Sequence, residues 1–370
     1  MKTEFDHLQA AHCENGVTAG LLHHVGLDKI TEPLAFGIGS GLFYIYIPFI
    51  QISNGPAIAF RTMPGLIFKR TCKALGIPVV RRKFRSPEEA ASALNTLLDQ
   101  GQPVGCQVGV YYLTYFPKEY RFHFNAHNIV VYGRTGDPQG GQAPGSGPQE
   151  GPAMGGDLHG GPTPAGAGDV YLISDPVMEK TTTLTAYELE RVRFAKGALA
   201  PRGQLYYPMG GREVTDEQIA RAIRKGIKRN INAMIHIPGA IAGVKGIRYT
   251  GNKIKKWRDQ LGLHKAGLYL AQLVRMQEEI GTGGGGFRYI YAAFLQEAYA
   301  YCPSDRLPEI SAMFTRSGDL WRTAAVQAAG IYKGRIGSQE DFNIMGDYLL
   351  EIAGIEKEAF EALNKIKWKK

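Results

Sequence analysis

Three side chains far apart in the chain have the types and the order of a thiol nucleophile, its base and the group that orients the base. Cys13 lies in HLQAAHCENG, at the start of a pattern that predicts a first helix over residues 13–24. A thiol at that position feels the positive end of the helix dipole, which favours the nucleophilic thiolate. His127 lies in FHFNAHNIVVYG, where aromatic and β-branched residues predict a strand over 122–133. Asp175 closes the following strand, DVYLISDP, just before Pro176. If the two strands pair, imidazole and carboxylate become neighbours, and thiol, imidazole and carboxylate follow in the order nucleophile, base, orienter. Taken singly, each residue has a plainer reading. Most lone cysteines are small buried hydrophobes, and most strand histidines are satisfied structural residues. Period-two alternation would put His123 on the same face as His127, with Asn125 and Ile129.

The elements that must position these groups are legible to different degrees. Residues 36–49, FGIGSGLFYIYIPF, carry glycines at 37, 39 and 41 and then a strand-like alternation. The glycines precede the strand, so this is no dinucleotide fingerprint, and it predicts a tight turn beside the nucleophile. Residues 59–76 predict an amphipathic helix introduced by Arg61 and Pro64, with Cys72 in the core and Gly76 as its stop. A strand over 79–85 leads to a helix with Ser86 as N-cap, Pro87 at the first position, Glu89 completing a capping box and Gly101 at the end. A further strand is expected over 103–113. Residues 136–168 contain 12 glycines and 6 prolines and almost nothing apolar, which predicts a flexible surface insertion.

Length and composition bound the answer. At 370 residues two domains are expected: residues 1–205 with the sheet and the three side chains, and residues 206–370 as a helical domain. The four cysteines are scattered without metal-binding spacing, so neither a zinc site nor a disulfide framework is indicated. The first residues lack the apolar run of a signal peptide, and no uninterrupted apolar stretch of about 18 residues exists to span a bilayer. These features fit the reducing cytoplasm.

A formal charge of +9 favours acidic partners. From Thr215, capped by Gln218, a helix gathers Arg221, Arg224, Lys225, Lys228 and Arg229 on one broad side, a solvated face or a docking surface. The basic residues are not interleaved with exposed aromatics, which argues against nucleic acid. The run GTGGGG over 281–286 separates two predicted helices, 266–280 and 287–300. Backbone N–H groups at Gly283 and Gly284, with Arg288 beside them, form a candidate anion site, and the alternative is a simple helix-helix turn. Arg61 is a further candidate for substrate contact. A last helix is expected over 341–367, ending in lysines.

The order of the three side chains is that of papain-like cysteine enzymes. In such folds an oxyanion donor commonly lies six residues ahead of the nucleophile, which here is His7, with Gln9 four ahead and the Cys13 backbone N–H as the other half. The chain also resembles the butirosin biosynthesis protein H family over nearly its whole length. The resemblance rests on HCENG (12–16), FGIGSGLF (36–43), RTMPG (61–65), YRFHFNAHNIVVYG (120–133), LISDPV (172–177) and EEIGTGGGGFRYIYAAFLQEA (278–298). It implies an α+β, papain-like N-terminal domain, a helix on a mostly antiparallel sheet, followed by an α-helical one. By the same resemblance Cys13, His127 and Asp175 would carry an acyl group from the phosphopantetheine thioester of an acyl carrier protein to a small-molecule amine, with no cofactor bound by the chain itself. A cysteine peptidase or amide hydrolase, and a non-catalytic binding module, are the alternatives.

Overall fold

A computed structural model describes residues 3–52, 55–135, 169–210, 213–279 and 282–368. In chain order it contains α1 (Cys13–His24), α2 (Glu32–Ile38), β1 (Leu42–Ile52), β2 (Gly55–Arg61), α3 (Leu66–Leu75), β3 (Val79–Arg82), α4 (Pro87–Asp99), β4 (Val104–Val108), β5 (His127–Thr135), β6 (Val170–Ser174), β7 (Thr182–Thr185), α5 (Ala186–Arg193), β8 (Leu205–Pro208), α6 (Asp216–Ile231), α7 (Gly243–Val274), α8 (Arg288–Tyr301), α9 (Arg306–Tyr332) and α10 (Gln339–Asn364). The protein is thus α+β, with antiparallel sheets and a helical C-terminal region. The Gly/Pro-rich run 136–168 lies outside the described residues. Among the described residues no helix is long and apolar enough to cross a membrane.

The compact units do not follow the division at 205/206. One unit is Met1–Gln9 with Arg81–Tyr207, and the other is Ala10–Val80 with Pro208–Lys370. The reason is where the early helices and hairpin bury their apolar faces. Gly37 of α2 is packed so closely on the Phe294 ring of α8 that a Cβ there would meet ring carbons at 2.1 Å. The β1–β2 hairpin lies against α7, with Gln51 donating to the Tyr269 hydroxyl at 3.2 Å. The N-terminal elements are therefore part of the core that the C-terminal helices complete.

The first unit is built on a six-stranded sheet in the order β3-β8-β4-β5-β6-β7. β4 pairs antiparallel with β5, β5 with β6 and β6 with β7. Ala90, Leu94 and Leu98 of α4 pack with Cys106, Val108, Ile129, Val131 and Ile173 from the strands and Leu189 and Val192 of α5. These side chains lose essentially all solvent contact, each contributing on the order of 1.5–3 kcal/mol where fully buried. Ser86 caps α4 through the Glu89 N–H at 3.4 Å, but its hydroxyl donates to Glu88, so the box expected with Glu89 does not close.

The second unit joins the hairpin to α1–α3 and α6–α10. Two sequence expectations change here. Residues 36–38 end helix α2 rather than forming a turn, and residues 59–61 finish β2, with Ala59 opposite Ile45 and Arg61 opposite Leu42. The helix predicted from 59 begins only at Leu66, because Pro64 and Gly65, the latter at φ 78°, break the chain first. Thr215 and Gln218 do cap α6 reciprocally.

Candidate active site

The histidine-carboxylate pair is assembled entirely within the first unit. β5 begins at His127, opposite Val108 of β4, and β6 runs antiparallel to β5 with Ser174 opposite Val130. Asp175, the residue after β6, is thereby carried back to the start of β5. His127 Nε2 and Asp175 Oδ2 are 2.7 Å apart, and the two side chains are 7% and 0% exposed. A carboxylate can only accept, so Nε2 carries the proton that faces Asp175.

Asp175 is itself fixed. The Tyr115 hydroxyl donates to Oδ2 at 2.8 Å, and the Val177 N–H donates to Oδ1 at 3.2 Å. The Phe116 ring stands edge-on to the imidazole with centroids 5.5 Å apart. Three donors on one buried carboxylate supply in the protein what water would supply outside it.

His7 supports the same turn. Its Nδ1 lies 2.8 Å from Ser174 Oγ and its Nε2 3.1 Å from the Met178 carbonyl. A carbonyl only accepts, so the one N–H of a neutral His7 goes to Met178 while Nδ1 takes the Ser174 hydroxyl. The expectation that His7 lends an N–H to an oxyanion is therefore corrected: it braces the residues flanking Asp175. Gln9, the other side chain considered for that task, is exposed. His123 is also displaced from its expected strand. It lies in the irregular run before β5, exposed, with its ring stacked on Tyr111 at 4.1 Å. The cause is Asn125, whose amide donates to the Lys196 and Ala198 carbonyls at 3.0 Å each and holds the preceding residues off the ladder.

Cys13 opens α1 in the second unit and is buried. The helix is capped by an imidazole: His12 Nδ1 accepts the Asn15 N–H at 3.3 Å, and the His12 ring stands edge-on to Phe287 at 5.1 Å. The backbone entering the helix is clamped by Glu32, whose two carboxylate oxygens accept the Ala11 and His12 N–H groups at 2.9 Å each. Burial raises the Glu32 carboxyl above its ordinary range, and these hydrogen bonds oppose the shift. Glu14, fully buried, accepts from Arg61 at 2.8 Å and from the Ile67 N–H at 3.0 Å. Arg61 is thus held to the start of α1 rather than left to a substrate. Among the other thiols, burial pushes Cys72 up to about 12 and also raises Cys106 and Cys302. A thiol that stays protonated is a poor nucleophile.

The glycine-run anion site is not what the structure contains. Gly284 N–H donates to Thr282 Oγ1 and Gly285 N–H to Glu278 Oε1, both at 3.0 Å, so a hydroxyl and a carboxylate of the chain occupy these two donors. Glycines 283–286 all have positive φ, which is why this turn is made of glycine. Arg288 is wholly buried, its Nε 2.8 Å and Nη2 3.0 Å from the two Glu356 oxygens. It is a core residue.

Tyr115 and Glu32 were missed by sequence reasoning. Tyr115 sits in no recognisable motif, whereas Glu32 between Thr31 and Pro33 carries the signal of an acidic first turn.

Residues 12–139 match the family described as Butirosin biosynthesis protein H, N-terminal, and residues 187–363 match a Domain of unknown function (DUF4872). Over residues 12–139 the chain is similar to butirosin biosynthesis protein H. The N-terminal match takes in Cys13, Glu14, Arg61 and His127, while Asp175 falls between the two matched segments. The match relates this segment to proteins of a biosynthetic pathway. No curated protein matches the chain.

Proposed function

We propose that the chain is an acyltransferase that takes an acyl group from the thioester of an acyl carrier protein and passes it to an amine through Cys13. The observation that carries this reading is the buried His127–Asp175 pair. The family match over residues 12–139 and the placement of Cys13 at a helix N-terminus support it.

In this scheme the Cys13 thiolate attacks the thioester carbonyl and the positive end of α1 favours the oxyanion. Collapse breaks the bond to the carrier's pantetheine sulfur, which leaves as a thiol with a proton from His127. The exchange replaces one thioester by another at little thermodynamic cost. The amine then attacks the Cys13 thioester, His127 takes its proton, and the Cys13 thiolate is expelled as the amide forms. Asp175 holds the imidazole and stabilises its charged form, while Tyr115 and His7 keep Asp175 and its turn in place.

Intact-mass measurement after mixing with a set of acyl carrier thioesters tests the scheme. The expected result is one acyl adduct on the wild type and none on Cys13→Ala. An adduct that persists in Cys13→Ala would end the assignment. Turnover measured with and without amine separates a transferase from a hydrolase, since a hydrolase consumes the thioester in both.

A further inference from the structure

The most lopsided charge distribution in the chain lies outside the candidate site. Residues 221–265 contain twelve Lys or Arg and a single acid, Asp259. Much of this charge is on the first half of α7, residues 243–261, before the break at Gly262 (φ 74°, ψ 159°). There the periodicity sorts the residues cleanly. Ile247, Thr250, Gly251, Ile254 and Trp257 are buried, while Lys245, Arg248 and Lys256 are exposed. Positions separated by three and eleven residues fall within one narrow arc of a helix, so these three cations form a single stripe, which exposed Asp259, three after Lys256, shares at its end.

Ion pairing within the protein distinguishes this stripe from its neighbours. Lys255, on the flank, is paired with Asp347 at 2.5 Å, and Arg258 donates to the Gly337 carbonyl at 2.7 Å. On α6, Arg221 shares its face with Glu217, 3.8 Å away. Among the described residues Lys245, Arg248 and Lys256 have no acidic partner within ion-pair distance. With three cations to one acid the stripe keeps a net positive charge on a rigid helix, which an acidic surface relieves.

We infer that the outer face of α7, through Lys245, Arg248 and Lys256, is the docking surface for the acidic face of the acyl carrier protein. The inference rests on the reading of the chain as a carrier-dependent acyltransferase. It adds the place where the donor's protein part is held, as distinct from its thioester. Charge complementarity between an acidic carrier face and this stripe supplies both steering and register. Such contacts act on encounter and on the Michaelis constant while leaving the chemical step alone.

The test compares wild type with K245E/R248E/K256E, using a purified acylated carrier protein and, separately, the same acyl group on free pantetheine. The expected result is a rise of about tenfold or more in KM for the carrier at low salt. The same variant should keep kcat with the carrier and its full rate with acyl-pantetheine, which also certifies that it is folded. K225E/K228E on α6 should move KM much less. An unchanged KM in the α7 variant, or an equal rise in the α6 variant, overturns the surface while leaving the acyl-transfer reading intact. Direct binding by fluorescence anisotropy separates the opposite case: a carrier that binds wild type and not the α7 variant, with no acyl transfer, sustains the surface and removes the activity. Tighter binding of a random DNA duplex or of anionic vesicles than of the carrier, abolished by the same substitutions, also overturns the inference.

Discussion

Two buried ion pairs, one in each unit, look alike in burial and differ in what their proton can do. Arg288 and Glu356 are both fully buried, and Glu356 additionally accepts from Ser317 Oγ at 2.7 Å and Trp321 Nε1 at 3.2 Å. The Arg288 guanidinium lies over the Trp321 and Phe60 rings at 5.3 and 5.7 Å. Its charge is permanent, since guanidinium is never deprotonated in a protein. Asp175 is equally well supplied with donors, but its partner is an imidazole, a group that exists in both charged and neutral forms. The lesson is that saturation of a buried carboxylate does not by itself mark a structural site. What separates a strut from a catalytic candidate is whether the partner's charge can change.

The contrast can be broken most forcefully at His127. Removing a general base typically costs about 10²–10⁴-fold in rate, so His127→Ala should lose acyl transfer on that scale per folded molecule, beyond the stability lost by leaving the buried Asp175 without its imidazole partner. A large drop in stability with activity per folded molecule preserved would put His127 in the same class as Arg288. The mirror experiment is Glu356→Ala, which strands a buried guanidinium and should cost about 3–5 kcal/mol in chemical denaturation. Transfer by the folded fraction should survive. Abolished transfer in a fully folded Glu356→Ala protein would contradict the division.

Glu32 sharpens the comparison with a smaller effect. It is a half-buried carboxylate holding two backbone N–H groups, with no cation among its described hydrogen-bond partners. Glu32→Gln keeps one acceptor of two and should cost about 1 kcal/mol. Because the folded-state carboxyl is raised, the folded protein holds this proton more tightly than the unfolded chain does. The wild type's stability relative to Glu32→Gln should therefore be greatest below the unfolded carboxyl pKa of about 4.3 and decline as pH rises through the raised value. Denaturation series of both proteins over mildly acidic pH check the sign, and a difference that grows with pH would refute it.

The parts legible in the sequence were those set by local rules. Helix α1 runs over the residues expected, Gly76 ends α3 in the left-handed conformation at φ 74°, and β5 and β6 pair across the Gly/Pro-rich run. Asp175 next to His127 follows from that pairing. Arg288 was misread because a cation after a glycine run has the same appearance whether or not a carboxylate 68 residues later reaches it. His123 was misread because Asn125 spends its amide on two carbonyls from a distant loop, which no alternation pattern reports. The role of His7 depended on Ser174 and Met178, partners far along the chain. The division at 205/206 failed for the same reason: which helices complete a core is a question of long-range packing.

That interleaving has a consequence for how the protein comes off the ribosome. Phe36 is fully buried against the Phe287 ring, 5.4 Å between centroids, and Thr3 pairs its N–H with the Tyr132 carbonyl. During synthesis α1–α3 and the hairpin emerge early, yet the helices that cover their apolar faces are made last. A nascent chain must carry that uncovered surface through most of its elongation, which selects for slow, late closure and for chaperone shelter.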